Sequence, residues 1–258
     1  MTFQKCTLVS LVCSFVLGAL GATVARAAPH IEVFQPATVD VAPDRVFTPL
    51  GFDDNDNAQI VLDGSLPDTC YKLGPTRIRV DHEAHKIFLR QQAFYYPGGW
   101  CAEVRIPYVQ TVDLGILKSG QYDIQVEQEG QKAKSFASLP VAIATTSSPD
   151  DFLYAPITEA HLERAPVGMD ASKPPFTTLV LNGYFTSSCM VFQRVKMNVR
   201  TNNVIEVLPI VNMERATNCA QVTNEFSIQV SLKEIPTGRY LIHVRSLNGQ
   251  SINRIVEL

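Results

Sequence analysis

Three short stretches carry side chains whose types and spacing could do chemistry. Asp53-Asp54-Asn55-Asp56-Asn57 gathers hard oxygen ligands within five residues, with Asp63 further on, and such oxygens are what a calcium ion requires. The stretch lacks the glycine and bidentate glutamate of an EF-hand loop. Asp53, Asp54 and Asp56 are therefore a calcium candidate set against a plain solvated loop, and the general expectation is a chain without cofactors. His82-Glu83-Ala84-His85 has the residue types of a zinc site. Only one residue separates its glutamate from the second histidine, however, and a helical metalloprotease motif has two. A polar hairpin turn between strands at 78–80 and 87–89 is the better expectation. Phe94-Tyr95-Tyr96-Pro97-Gly98-Gly99-Trp100 sets aromatics in a Pro/Gly loop that ends at Cys101. Such a loop can offer a rigid apolar platform to sugar rings or a peptide, with Tyr95, Tyr96 and Trp100 as contacts. The competing expectation packs Phe94 and Trp100 on the neighbouring cysteine and leaves the two tyrosines open.

Nothing else points to catalysis. His30 and His161 are isolated, and His243 alternates outward on a strand. There is no Gly-x-Ser-x-Gly elbow, and nothing ties Ser65 to a base. No glycine-rich phosphate loop occurs, and the cysteines are too far apart for a Cys-x-x-Cys couple. The expectation is a protein that is not an enzyme.

An internal repeat must position these residues. Asp63-Gly64 precedes Cys70 as Asn182-Gly183 precedes Cys189, and the segment from Leu117 to Val126 lines up with that from Ile235 to Val244. Gly130-Gln131 and Gly249-Gln250 follow. The offset drops by one residue between the first and second cysteines of each pair. The loss fits the polar segment 81–86, set against 200–203, because turns tolerate length changes and strands do not. Four cysteines allow three pairings, and the repeat selects Cys70 with Cys101 and Cys189 with Cys219.

The first 27 residues read as a cleaved targeting signal. Lys5 precedes an apolar run from residue 6 to 20, and Ala25-Arg26-Ala27 offers a small-x-small cut after Ala27. The run breaks into small residues too early for a spanning helix, and no later segment is apolar enough to span. Cleavage leaves 20 basic and 25 acidic side chains, which gives no electrostatic case for nucleic acid. It also leaves four cysteines for an oxidising compartment, secreted or periplasmic.

Period-two alternation dominates, as at Phe226, Ile228, Val230 and Leu232. Short runs of this kind bounded by Gly, Pro, Asn and Asp predict an all-β chain, and residues 159–164 could form one helical turn at most. Domain 1 should cover 28–145 and domain 2 146–258, divided at the polar stretch 145–150. The Leu-x-x-Gly-x-Tyr-x-Ile-x-Val run at 117–126, echoed at 235–244, resembles the tyrosine-corner strand of immunoglobulin-like and fibronectin-type sandwiches. That resemblance implies two tandem β-sandwiches. No cysteine lies two residues after Tyr122 or Tyr240, so these disulfides are not the immunoglobulin bridge, and strand topology stays open.

These features favour a secreted or periplasmic binding or scaffold protein whose ligand is an unknown protein, peptide or glycan. One alternative is a chaperone or assembly factor like the two-domain pilus chaperones, which take clients by strand addition; residues 136–143 alternate suitably, with Pro140 marking an edge. The other is a secreted hydrolase or protease inhibitor.

Overall fold

The computed structural model describes residues 35–98, 100–164, 176–214 and 218–258. The expected signal segment 1–27 with its expected cut after Ala27, and His30, lie outside these. The first half contributes β1 (Ala37–Asp40), β2 (Arg45–Phe47), β3 (Asn57–Leu66), β4 (Tyr71–Asp81), β5 (Lys86–Tyr95), β6 (Ile106–Ile116), β7 (Gly120–Val126) and β8 (Lys134–Val141). The second contributes β9 (Ile157–Arg164), β10 (Phe176–Ser187), β11 (Met190–Val199), β12 (Val204–Met213), β13 (Gln221–Ser231), β14 (Arg239–Ser246) and β15 (Gln250–Glu257). The helical turn expected at 159–164 is instead part of β9, whose Ala160 and Leu162 face Leu181 and Leu179 of β10. Pairing with β10 outweighs the weak helical preference of six residues.

Each half is a sandwich. In the first, β2-β3-β6 covers a sheet in which β5 pairs with β4 on one side and with β1 and β7 on the other, and β8 completes it. In the second, β13-β10-β9 covers β11-β12-β14-β15. Inward residues of facing sheets make the two cores. Ile60, Leu62, Leu89, Tyr122 and Leu139 anchor the first, and Leu179, Leu181, Ile205, Ile242 and Val244 the second. The topology left open by the sequence has a distinctive element: β5 runs parallel to β7, and β12 parallel to β14. A parallel pair needs a long crossover, and here β6 or β13 supplies it by passing through the opposite sheet.

The repeat's shared features now have physical causes. Gly64 sits opposite Tyr108, and Gly183 opposite Phe226. A Cβ on Gly64 would lie 2.6 Å from the Tyr108 ring, and one on Gly183 would lie 2.7 Å from Phe226 and 2.2 Å from the Pro156 carbonyl. Glycine is needed because an aromatic ring on the adjacent strand lies across its backbone. The length difference falls in the hairpin turns. Asp81 pairs with Lys86 around four residues, whereas the Arg200 N–H donates to the Val204 carbonyl (2.8 Å) around three. Both turns end in left-handed backbone, at His85 (φ 48°) and Asn203 (φ 60°), a conformation that suits the end of a short hairpin loop.

The two sandwiches pack directly on each other. Phe47 of β2 and Val61 of β3 meet Val204 of β12 and Leu241 of β14 in a small buried cluster, with Ile255 at its edge. Polar contacts ring it. Arg239 donates to both carboxylate oxygens of Asp63 at 2.8 Å, and the Leu50 N–H donates to Glu206 at 2.7 Å. Asn202 donates to the Thr48 carbonyl at 2.9 Å.

Candidate functional site

The aromatic loop is built on the disulfide clamp. Cys70 begins the turn into β4 and bonds to Cys101; Cys189 bonds to Cys219 in the same way. Identical backbone bonds frame both. The Tyr96 N–H donates to the Cys70 carbonyl (3.0 Å), as the Glu214 N–H does to Cys189 (2.8 Å). The Ala102 N–H donates to Thr69 Oγ1 (2.8 Å), as Ala220 does to the Ser188 hydroxyl (3.0 Å). One clamp is used twice, and only the first copy has aromatics between its jaws.

Those aromatics divide. Phe94 and Tyr95 are half-buried at the end of β5, and Tyr95 lies against Tyr71 with ring centroids 4.9 Å apart. Tyr96 is 37% exposed with the Lys72 ammonium 5.0 Å from its ring centroid. Trp100 is 99% exposed. The expectation that it packs on the disulfide is wrong: Cys101 is tied back to Cys70, while the indole beside it stands in solvent. Tyr71 and Lys72 are neighbours the sequence reading missed, and the only signal for them was their position directly after Cys70.

The acidic stretch faces inward to the domain junction. Asp53 accepts from the Asn55 N–H (3.1 Å), Asp54 from the Ala144 N–H (2.8 Å), and Asp56 from Arg245 (3.2 Å). Arg245 also donates to Asp150 (3.1 Å) and lies between the rings of Phe52 and Tyr154. Burial pushes the Asp56 carboxyl up to about 6, against the pull of Arg245. Each of the three acids thus accepts from the chain's own donors. Among the described residues, the group of three His, Cys, Asp or Glu side chains whose possible ligand atoms lie within 4.8 Å of one another is Asp68, Cys70 and Cys101, and both sulfurs are in the disulfide.

His82, His85 and His243 are structural in their contacts, while His161 is exposed on β9 beside Glu159 (3.6 Å). Asp81 accepts the N–H groups of Glu83 and Ala84 and so shapes the turn. His82 Nδ1 lies 3.2 Å from the Tyr122 hydroxyl, and the His85 ring packs against Tyr122 at 5.1 Å. The Lys118 backbone, four residues upstream, acts on the Tyr122 hydroxyl against the upward push of burial on its pKa, as a tyrosine corner would have it. His243 does point out of its own sandwich, but the first sandwich covers it. It is buried beside Phe52 and Asn253, and burial, with Arg245 nearby, pushes its pKa down to about 4. Ser65 hydrogen-bonds Asp44 at 3.2 Å and Arg105 at 2.9 Å.

A family model described as the ORF11 beta-sandwich domain matches the chain twice, over residues 60–138 and 179–258. The chain belongs to the ORF11 β-sandwich family. Each ORF11 β-sandwich copy begins within β3 or β10 and ends in β8 or after β15, so it takes in the clamp and the parallel pair. No curated protein matches the chain significantly. No solved structure does so either. Among the described residues, no helix is long and apolar enough to cross a membrane.

Proposed function

We propose that this ORF11 β-sandwich protein works outside the cytoplasm as a non-enzymatic recognition module, with residues 94–101 as its contact surface for a glycan or peptide. The observation that carries this reading is the near-complete exposure of Trp100 beside a cysteine held by the clamp. Burying an indole removes roughly 150–250 Å² from water, worth about 4–6 kcal/mol at about 25 cal/mol per Å². A protein that leaves this surface open beside a disulfide-bonded cysteine has a ready anchor for a partner. The two disulfides, and a first segment that reads as a secretory signal, support an oxidising compartment. The non-enzymatic part is supported by the contacts of the histidines: His82 and His85 pack on Tyr122, and His243 is buried.

Trp100 is the sole tryptophan, so its fluorescence reports directly on the site. Titration with members of glycan and peptide arrays should shift its emission to the blue for the true ligand. The Tyr96→Ala/Trp100→Ala double variant should lose that array binding while keeping its far-ultraviolet circular dichroism. A folded double variant that keeps all binding would falsify the reading, and turnover of ester or glycoside substrates would favour a hydrolase instead. The module is also proposed to work without a metal. Calorimetric titration with calcium should give no heat that depends on Asp53, Asp54 and Asp56, since each already accepts a hydrogen bond from the chain.

A further inference from the structure

β13 closes one side of the sheet β13-β10-β9, and among the described residues it pairs only with β10. Thr223, Glu225, Ser227, Gln229 and Ser231 are exposed, while Val222, Phe226, Ile228 and Val230 are partly buried. The alternation holds along the strand except at Asn224, which is also exposed, and among the described residues the outer edge presents a row of unpaired backbone donors and acceptors.

Proteins usually blunt such edges with lysine, proline or inward charge. The other long edges here follow that rule. β4 carries Lys72, Pro75, Arg77 and Arg79, and β11 carries Arg194 and Lys196. β8 carries Lys134 and Pro140. β6, the repeat counterpart of β13, carries Pro107 and Asp113, and Asn253 of the second sandwich reaches across to its Thr111 (3.2 Å). β13 has no proline, lysine or arginine in eleven residues, and Glu225 is its single charge. A cleft of about 510 Å³ runs across this sheet, from Thr158 of β9 over Asn182, Gly183 and Tyr184 of β10 to Glu225 and Ser227 of β13. Tyr184 in that cleft is 41% exposed.

We propose that the edge of β13 receives an extended strand from a partner polypeptide, which lays one side chain over Glu225 and Ser227 at the near end of that cleft. Strand addition needs these two parts: a backbone ladder for affinity and a pocket for alternate side chains. The lone Glu225 favours an uncharged or basic incoming strand over an acidic one. This inference rests on the second sandwich alone and does not depend on the aromatic loop.

The probe is a labelled synthetic peptide with the sequence of residues 177–187, whose alternation already matches β13 on its other side. Anisotropy against the full chain should show saturable binding that a scrambled peptide lacks. N-methylation of alternate peptide amides should weaken it by about tenfold or more, because each methyl removes a ladder hydrogen bond. The exposed Ser227→Lys/Gln229→Lys variant should weaken it similarly. Hydrogen exchange should find the outward amides of β13 unprotected in the free chain and protected with the peptide. Absence of binding, equal binding by the N-methylated peptide, or protection elsewhere would overturn the proposal. Protection of free β13 that grows with protein concentration would do so too, because a second copy would then occupy the edge.

Discussion

Two buried side chains at the junction give the protein opposing responses to acid. His243 has a folded pKa of about 4 against an ordinary value of 6.5. As pH falls from 6.5 to 4, the unfolded chain takes up a proton that the folded chain refuses, so stability is lost across that window. At 1.36 kcal/mol per pKa unit, that loss is about 3 kcal/mol. Asp56 works the other way. Its folded pKa is about 6 against 3.8, so the folded chain binds the proton first and gains stability as pH falls from 6 to 3.8. The two contributions largely offset one another in the native protein. Urea unfolding at pH 7 and pH 4.5 should separate them: Asp56→Asn makes the protein more acid-labile, and His243→Leu makes it less so. If neither variant changes the difference between the two pH values, burial at the junction is not what sets these groups.

Among the elements, the clamp does most to hold the loop after β5. Each disulfide closes about 30 residues, worth about 3.5 kcal/mol on the chain-entropy estimate. Replacing both Cys189 and Cys219 by serine should lower stability by about that amount, read as a lower denaturant midpoint. Replacing Cys70 and Cys101 should do the same and also free the aromatic loop, so the anisotropy of Trp100 emission should fall. An unchanged anisotropy would mean that the clamp's backbone bonds alone hold the indole in place.

Over the whole molecule, the interface between the sandwiches is used in one orientation. The face of the second sandwich that bears Val204, Leu241, His243 and Arg245 has, in the first, Lys86, Asp123, Gln125 and Glu127 at the matching register of its own parallel pair. A face that packs in one copy is charged and polar in the other, which suits a pair capped at that end rather than a longer array. The buried cluster Phe47, Val61, Val204 and Leu241 should couple the two halves into one unfolding transition. Leu241→Asp places a charge in that cluster and should split the calorimetric trace into two. Two transitions in the unmutated protein would show that the interface carries little energy.

The all-β class, the repeat and the disulfide pairing were all legible in the sequence. They rest on local alternation, fixed spacing and comparison of one half with the other, none of which needs the third dimension. The parallel pairing of β5 with β7 was not legible, because alternation sets which face a residue takes and not which strand lies beside it. Nor were the roles of Asp56, His243 and Arg245. An outward-facing residue reads the same whether water or another sandwich covers it, and here the partners stand as far apart as residues 56 and 245. The sequence also left Trp100 divided between core cap and platform. Only the tertiary structure decided between them, because exposure depends on what packs around a side chain and not on its neighbours in sequence.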